Sequence, residues 1–264
     1  MNPPAPTSDD PQGSARRYGV TASALTGVLA FSGLLTYAFF VLSSHSLDAD
    51  DYGALVVLWS GVFIVVSIVF RPVELLLSRT ISEQLAHDEE IGPTLRTAGA
   101  IQLTCGLVVV VLALVFRGPI QDELLDGRET LYWLMLGAIL ALSGAYFGRG
   151  LLAGQHRFGL FAVLLLLDSA GRLLFAVVVA LGIADGVDVV ALGVLVGPVL
   201  SLSVIPFALI RPQEGSPDEP ARDAGPTLTL GRGTMLAGSL FVALLCEQVL
   251  LTTCLLYTSD AADE

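Results

Sequence analysis

The chain has 264 residues, of which 54% are apolar and only 14% charged, with 27 glycines besides, a formal charge of −12 and no lysine. A soluble domain is about 45–50% apolar with glycine counted and about 25% charged, and one of this size still leaves roughly a quarter to a third of its unfolded surface in water. That excludes a soluble globular domain and a disordered chain; the acidic charge excludes a nucleic-acid binder, and three scattered cysteines exclude a disulfide scaffold.

Residues 1–20, rich in Pro, Ser, Asp and Gly, read as a disordered cytoplasmic tail. Arg16-Arg17 ahead of an apolar run suggests a twin-arginine signal, but the run is too long for a signal core and no small-residue cleavage site follows. Crossing a bilayer takes about 20 apolar residues. Residues 21–43, 53–70, 97–116, 130–148 and 189–210 contain no Asp, Glu, Arg or His. The run 158–184 is interrupted only by Asp168 and Arg172, and a seventh run begins near residue 233 and carries Glu247. These runs are too long for strands and show no dyad alternation, and a backbone in lipid must satisfy its own hydrogen bonds, so helices are expected. The fold class predicted is an all-α, polytopic inner-membrane helical bundle: a six-helix lobe over 21–210, a cytoplasmic linker over 211–233 and the first helix of a second lobe over 234–253. The end, 254–264, resembles translated sequencing-adapter sequence, so the natural chain is expected to continue beyond it.

Arginine placement sets the orientation. Arg16, Arg17, Arg79, Arg96, Arg149, Arg157, Arg211, Arg222 and Arg232 fall on one side, and Arg117 and Arg128 on the other. This positive-inside bias puts the N-terminus in the cytoplasm.

No phosphate loop, paired Cys-x-x-Cys or Gly-x-Ser-x-Gly occurs, so neither catalytic residues nor a cofactor are expected and the chain does not read as an enzyme. His45, His87 and His156 lie far apart, which argues against a shared metal site, and Cys105 and Cys246 read as packing residues. The informative residues are ionisable groups at membrane depth, which cost about 2.5–3.5 kcal/mol each on insertion scales and mark function by default. Arg71 and Glu74 are three apart around Pro72, Asp168 and Arg172 four apart, and Glu247 has no local partner. Both spacings predict ion pairs on one helical face. These pairs either neutralise themselves within the bundle or line a cavity, where an arginine fork suits a phosphate or pyrophosphate. Gly144 with Gly148, Gly150 with Gly154 and Gly193 with Gly197 predict close helix packing, and Pro198 and Pro206 predict kinks.

Three segments carry a resemblance. Leu47-Asp48-Ala49-Asp50-Asp51-Tyr52-Gly53 opens the second apolar run; Gly148-Arg149-Gly150-Leu151-Leu152-Ala153-Gly154, then Arg157-Phe158, closes the fourth; and Arg71-Pro72-Val73-Glu74 leads to Ser78-Arg79-Thr80-Ile81-Ser82-Glu83. In this order the chain resembles the polysaccharide-biosynthesis flippases of the multidrug/oligosaccharidyl-lipid/polysaccharide transporter superfamily. The resemblance implies 12 to 14 helices in two six-helix lobes facing a central cavity. It implies that polyprenyl-pyrophosphate-linked saccharide crosses the cell membrane by alternating access, with the bilayer, the lipid-linked saccharide and a coupling cation as partners. It gives Arg71 and Arg172 as the basic residues of the cavity; Glu74, Asp168 and Glu247, the acids at membrane depth, complete the candidate cavity residues. Three other readings stay open: a cation-coupled multidrug antiporter using Asp168, Glu74 or Glu247; a membrane-embedded polysaccharide-pathway enzyme; and a fragment with no activity of its own.

Overall fold

In the computed structural model the chain is described over residues 11–206, with side chains described over 23–206. The order is α1 (Pro11–Ser46), α2 (Ala49–Val69), α3 (Arg71–Ala86), α4 (Gly92–Val115), a single turn α5 (Arg117–Pro119) passing into a π-helical segment (Ile120–Leu124), α6 (Glu129–Gly154), α7 (Phe158–Ala180) and α8 (Val187–Leu202). The described residues contain no strand. Among the described residues, five helical spans are long and apolar enough to cross a membrane, with α2 and α3 counted as one span of 38 residues; α8 is apolar but shorter, at 16 residues.

Several boundaries differ from the apolar runs, each for a local reason. The helix α1 begins at Pro11, so residues 11–20 of the expected tail are helical; a proline suits a first turn, where its missing N–H has no intrahelical acceptor. Residue Asp48 caps α2, its Oδ1 accepting the Asp51 N–H at 2.9 Å, and Asp50 and Asp51 lie in the first turn, where acids oppose the helix dipole. The expected loop carrying Arg79 and Arg96 is largely helix: Arg79 lies in α3 and Arg96 in α4. The break between α2 and α3 falls at Phe70 because Pro72 cannot donate to the Ile68 carbonyl. Pro198 lies inside α8, and the helix stops at Leu202, where Pro206 would collide with that residue's carbonyl. Ser203 and Val204 turn back onto the carbonyls of Leu200 and Ser201 instead.

α6 is the central helix: it packs against α8, α3 and α2, while α7 packs against α8 and α1. The larger core joins Phe39, Leu55, Leu58, Tyr132, Ile139, Val190 and Val194; a smaller one joins Leu77, Ile81, Leu151, Leu152 and Leu164 where α3 meets α6 and α7. Glycines set the approach. A Cβ on Gly150 would lie 2.8 Å from the Glu74 carbonyl oxygen, and one on Gly154 2.7 Å from Ile81 Cβ, so only glycine lets α3 seat on α6. Gly171 and Gly193 do the same between α7 and α8. Polar clamps reinforce the packing: Gln102 of α4 donates to the Ser143 carbonyl at 2.7 Å and to its hydroxyl at 2.9 Å, and Ser32 of α1 shares a hydrogen bond of 2.6 Å with Ser169 of α7. The outward faces of α1 and α4 remain apolar, with Leu34, Tyr37, Leu103, Leu107 and Val115 exposed.

Candidate functional site

Asp168 and Arg172 stand one turn apart on α7, and Arg172 Nη2 donates to Asp168 Oδ2 at 3.0 Å, the ion pair their spacing predicts. The partner that the sequence does not announce is Arg149. It lies inside α6, and its Nη2 donates to the same Oδ2, also at 3.0 Å. Placing Arg149 on a loop is thus corrected: α6 continues to Gly154 because Gly150 and Gly154 give α3 a surface to pack on. Two guanidiniums therefore converge on one carboxylate oxygen. The residues Asp168 and Arg172 are 2% and 8% exposed, so neither charge is hydrated to any large extent.

Each guanidinium lies over an aromatic ring. The Arg172 Cζ is 4.7 Å from the centroid of Trp59, and the Arg149 Cζ is 4.7 Å from that of Tyr146. Such stacking strengthens when the pair is desolvated and leaves the edge of the fork free for other acceptors. Asp168 Oδ1 and Arg149 Nε are buried without a hydrogen-bond partner. Asp168 Oδ1 faces Gly197 of α8, where an added Cβ would lie 3.2 Å away.

These residues floor a cleft of about 320 Å³. One wall is Ser32, Gly33 and Thr36 of α1; the other is Trp59, Val62, Phe63 and Val66 of α2. The floor is Leu142, Tyr146 and Arg149 of α6 with Leu165, Asp168 and Arg172 of α7. Its fixed charges are two arginines against one aspartate, an excess of one positive charge.

The remaining candidates lie elsewhere. Arg71 and Glu74 do not line the cleft and do not form the ion pair that their spacing predicts. The helix restarts at Arg71 after the Phe70 break, so the two occupy the first turn of α3, and the Glu74 backbone is held against Gly150 of α6, with its carboxylate within Coulombic reach of Arg149 and Arg71. Glu247 lies outside the described residues. Among the described residues no group of three or more His, Cys, Asp or Glu side chains is placed to hold a metal ion.

A second cluster sits at the opposite end of the bundle, where Asp51 of α2 pairs with Arg128 ahead of α6. It borders an open cleft of about 390 Å³ with Thr130, Asp185 and Asp188. The Asp51 carboxylate, accepting from Arg128, raises that guanidinium above its ordinary pKa, so Arg128 stays charged through the physiological range. Nearby, Arg117 pairs with Glu129 at 2.7 Å and lies over the Trp133 ring at 5.3 Å. No family model, curated protein or solved structure matches this chain.

Proposed function

We propose that the chain is the N-terminal lobe of a transporter that flips polyprenyl-pyrophosphate-linked saccharide across the cytoplasmic membrane, with the arginine cleft as its headgroup site. The observation that carries this reading is the charge excess at Arg149, Arg172 and Asp168, sunk among helices of membrane-spanning length. A buried charge is stable only when paired, and here one guanidinium's worth of positive charge is left over. An anion accepting from both forks would complete the pairing, and phosphate geometry matches a guanidinium edge. Arg71 and Glu74 lie one helix away with opposite charges, so they leave that excess of one unchanged. The domain reading continues through a linker over 211–233 to a second lobe beginning at 234, all outside the described residues.

The orientation that goes with this reading has the N-terminus in the cytoplasm. Moving Arg149 into the bundle leaves Arg16, Arg17, Arg79, Arg96, Arg157, Arg211, Arg222 and Arg232 against Arg117 and Arg128, so the positive-inside bias persists.

One observation favours a cation-coupled antiporter instead: the unpartnered Asp168 Oδ1. It is outweighed by position, because two guanidiniums stand on the other oxygen of that carboxylate and repel a second cation. The test is genetic. Deletion of the complete gene is expected to trap lipid-linked saccharide in the cytoplasmic leaflet, and genes carrying Arg149→Ala or Arg172→Ala are expected to restore about a tenth or less of the export, the loss of one charge-assisted hydrogen bond. Wild-type export from the double variant would remove these residues from the site. Resistance to cationic drugs on overexpression, with normal glycan after deletion, would favour the antiporter.

A further inference from the structure

The cleft has two chemistries, and only one of them suits a headgroup. Its floor offers guanidinium donors, whereas the α2 wall of Val62, Phe63 and Val66 offers none. The α1 wall is small and already committed: Ser32 bonds Ser169, and the Thr36 hydroxyl donates to the Ser32 carbonyl at 3.0 Å. A wholly polar ligand would leave most of this lining unused.

The walls also part. The helix α1 packs along α7 and meets α2 chiefly through an aromatic contact, with Phe40 edge-on to Trp59 at 5.6 Å and Phe39 at 6.4 Å. On the side of that contact where α1 begins and α2 passes into α3, the two helices flank the cleft, and Gly33 and Phe63 stand exposed at its rim. A Cβ on Gly33 would meet nothing within 4 Å, so this part of the seam is open space. Both helices belong to spans long enough to cross a membrane, which puts the opening at hydrocarbon depth if they do so. At about 320 Å³ the cleft lies at the lower end of small-molecule sites, roughly 300–1,000 Å³, enough for a head group and too small for a long chain as well.

We propose, resting on the reading of the arginine cleft given above, that the seam between α1 and α2 holds the hydrocarbon chain of an anionic amphiphile whose phosphate sits at Arg149 and Arg172. The amphiphile enters sideways from the bilayer, and water-soluble anions reach only the floor. Trp59 joins the two parts, because its ring carries the Arg172 guanidinium and its edge meets Phe40 of α1. A phosphate drawing Arg172 off the ring thereby loosens the contact that closes the seam.

The test uses the full chain in phosphatidylcholine nanodiscs and two probes: phosphatidic acid with a diazirine in its acyl chain, and inorganic pyrophosphate. Wild type is expected to bind pyrophosphate and to be photolabelled on residues 29–40 and 57–66. The substitution Gly33→Phe starts from a Cβ that meets nothing within 4 Å and is chosen to project a ring into the seam. It is expected to lower photolabelling about tenfold; Thr36→Phe, on the same wall, replicates it should Gly33→Phe fail to fold, and Arg172→Ala, on the floor, is expected to weaken pyrophosphate binding and photolabelling together, about tenfold. Labelling elsewhere on the chain, or labelling that both phenylalanine variants leave intact, overturns the seam alone. Photolabelling that stays at the wild-type level in an Arg172→Ala variant that has lost pyrophosphate binding overturns the assignment of headgroup and chain to one ligand. Failure of the wild type to bind either probe overturns the arginine reading, and this inference with it.

Discussion

At the residue scale the account turns on one carboxylate. Asp168 holds Arg149 of α6 and Arg172 of its own helix, so it ties two helices as well as balancing charge. Removing one member of a buried ionic set leaves charge uncompensated, which costs about 3–5 kcal/mol. The variant Asp168→Ala is therefore expected to unfold at a markedly lower temperature than wild type in the same detergent. Unchanged thermal stability would mean that the two guanidiniums find other acceptors. The pair Asp168 and Arg172 was legible in the sequence, since a four-residue spacing inside an apolar run leaves them on one face. Arg149 was not: it follows a glycine at the end of an apolar run, and a charge there looks like a helix exit. The α3 surface that keeps α6 helical is distant in sequence and shows only in the packing. Arg71 and Glu74 keep their three-residue spacing inside the first turn of α3 and still form no ion pair, so spacing alone did not decide that contact.

At the element scale the helices were readable from apolar runs, and their ends were not. The ends follow from prolines, caps and partners: Pro11 opens α1, Asp48 caps α2, and Pro206 stops α8. The small-residue pairs foretold close approach, and Gly150 and Gly154 show what approaches, the backbone of α3. Overpacking such a contact costs about 1–3 kcal/mol, so Gly150→Val is expected to lower the unfolding temperature and to loosen α3. By contrast, Gly53 has nothing within 4 Å of an added Cβ, and Gly53→Ala is expected to gain about 0.5–1 kcal/mol from helix propensity. Equal melting temperatures for the two variants would show that α3 docking does not depend on that glycine. The ion pair of Asp51 with Arg128 is partly exposed, at 24% and 31%. Such pairs contribute about 0–1 kcal/mol, so Arg128→Ala is expected to shift stability little.

For the whole molecule, composition predicted the outward faces. Leu103, Leu107 and Val115 of α4 and Leu34 and Tyr37 of α1 stand exposed, a surface that water solvates poorly and lipid solvates well. The orientation proposed from the arginines has its own check. In a background with the three native cysteines replaced, Asp50→Cys is expected to react with an impermeant thiol reagent added outside intact cells, and Glu89→Cys only after lysis. The reverse pattern would invert the topology and turn the α1–α2 seam toward the other leaflet.

The claim that everything else leans on is the sign of the charge that the cleft accepts. The direct measurement is calorimetric titration of the full chain in nanodiscs with a polyprenyl-pyrophosphate disaccharide and, separately, with the lipophilic cation tetraphenylphosphonium. The account predicts saturable binding of the pyrophosphate, weakened about tenfold or more by Arg172→Ala, and no saturable binding of the cation. Binding of the cation but not the pyrophosphate, or pyrophosphate binding that survives loss of both Arg149 and Arg172, would contradict it.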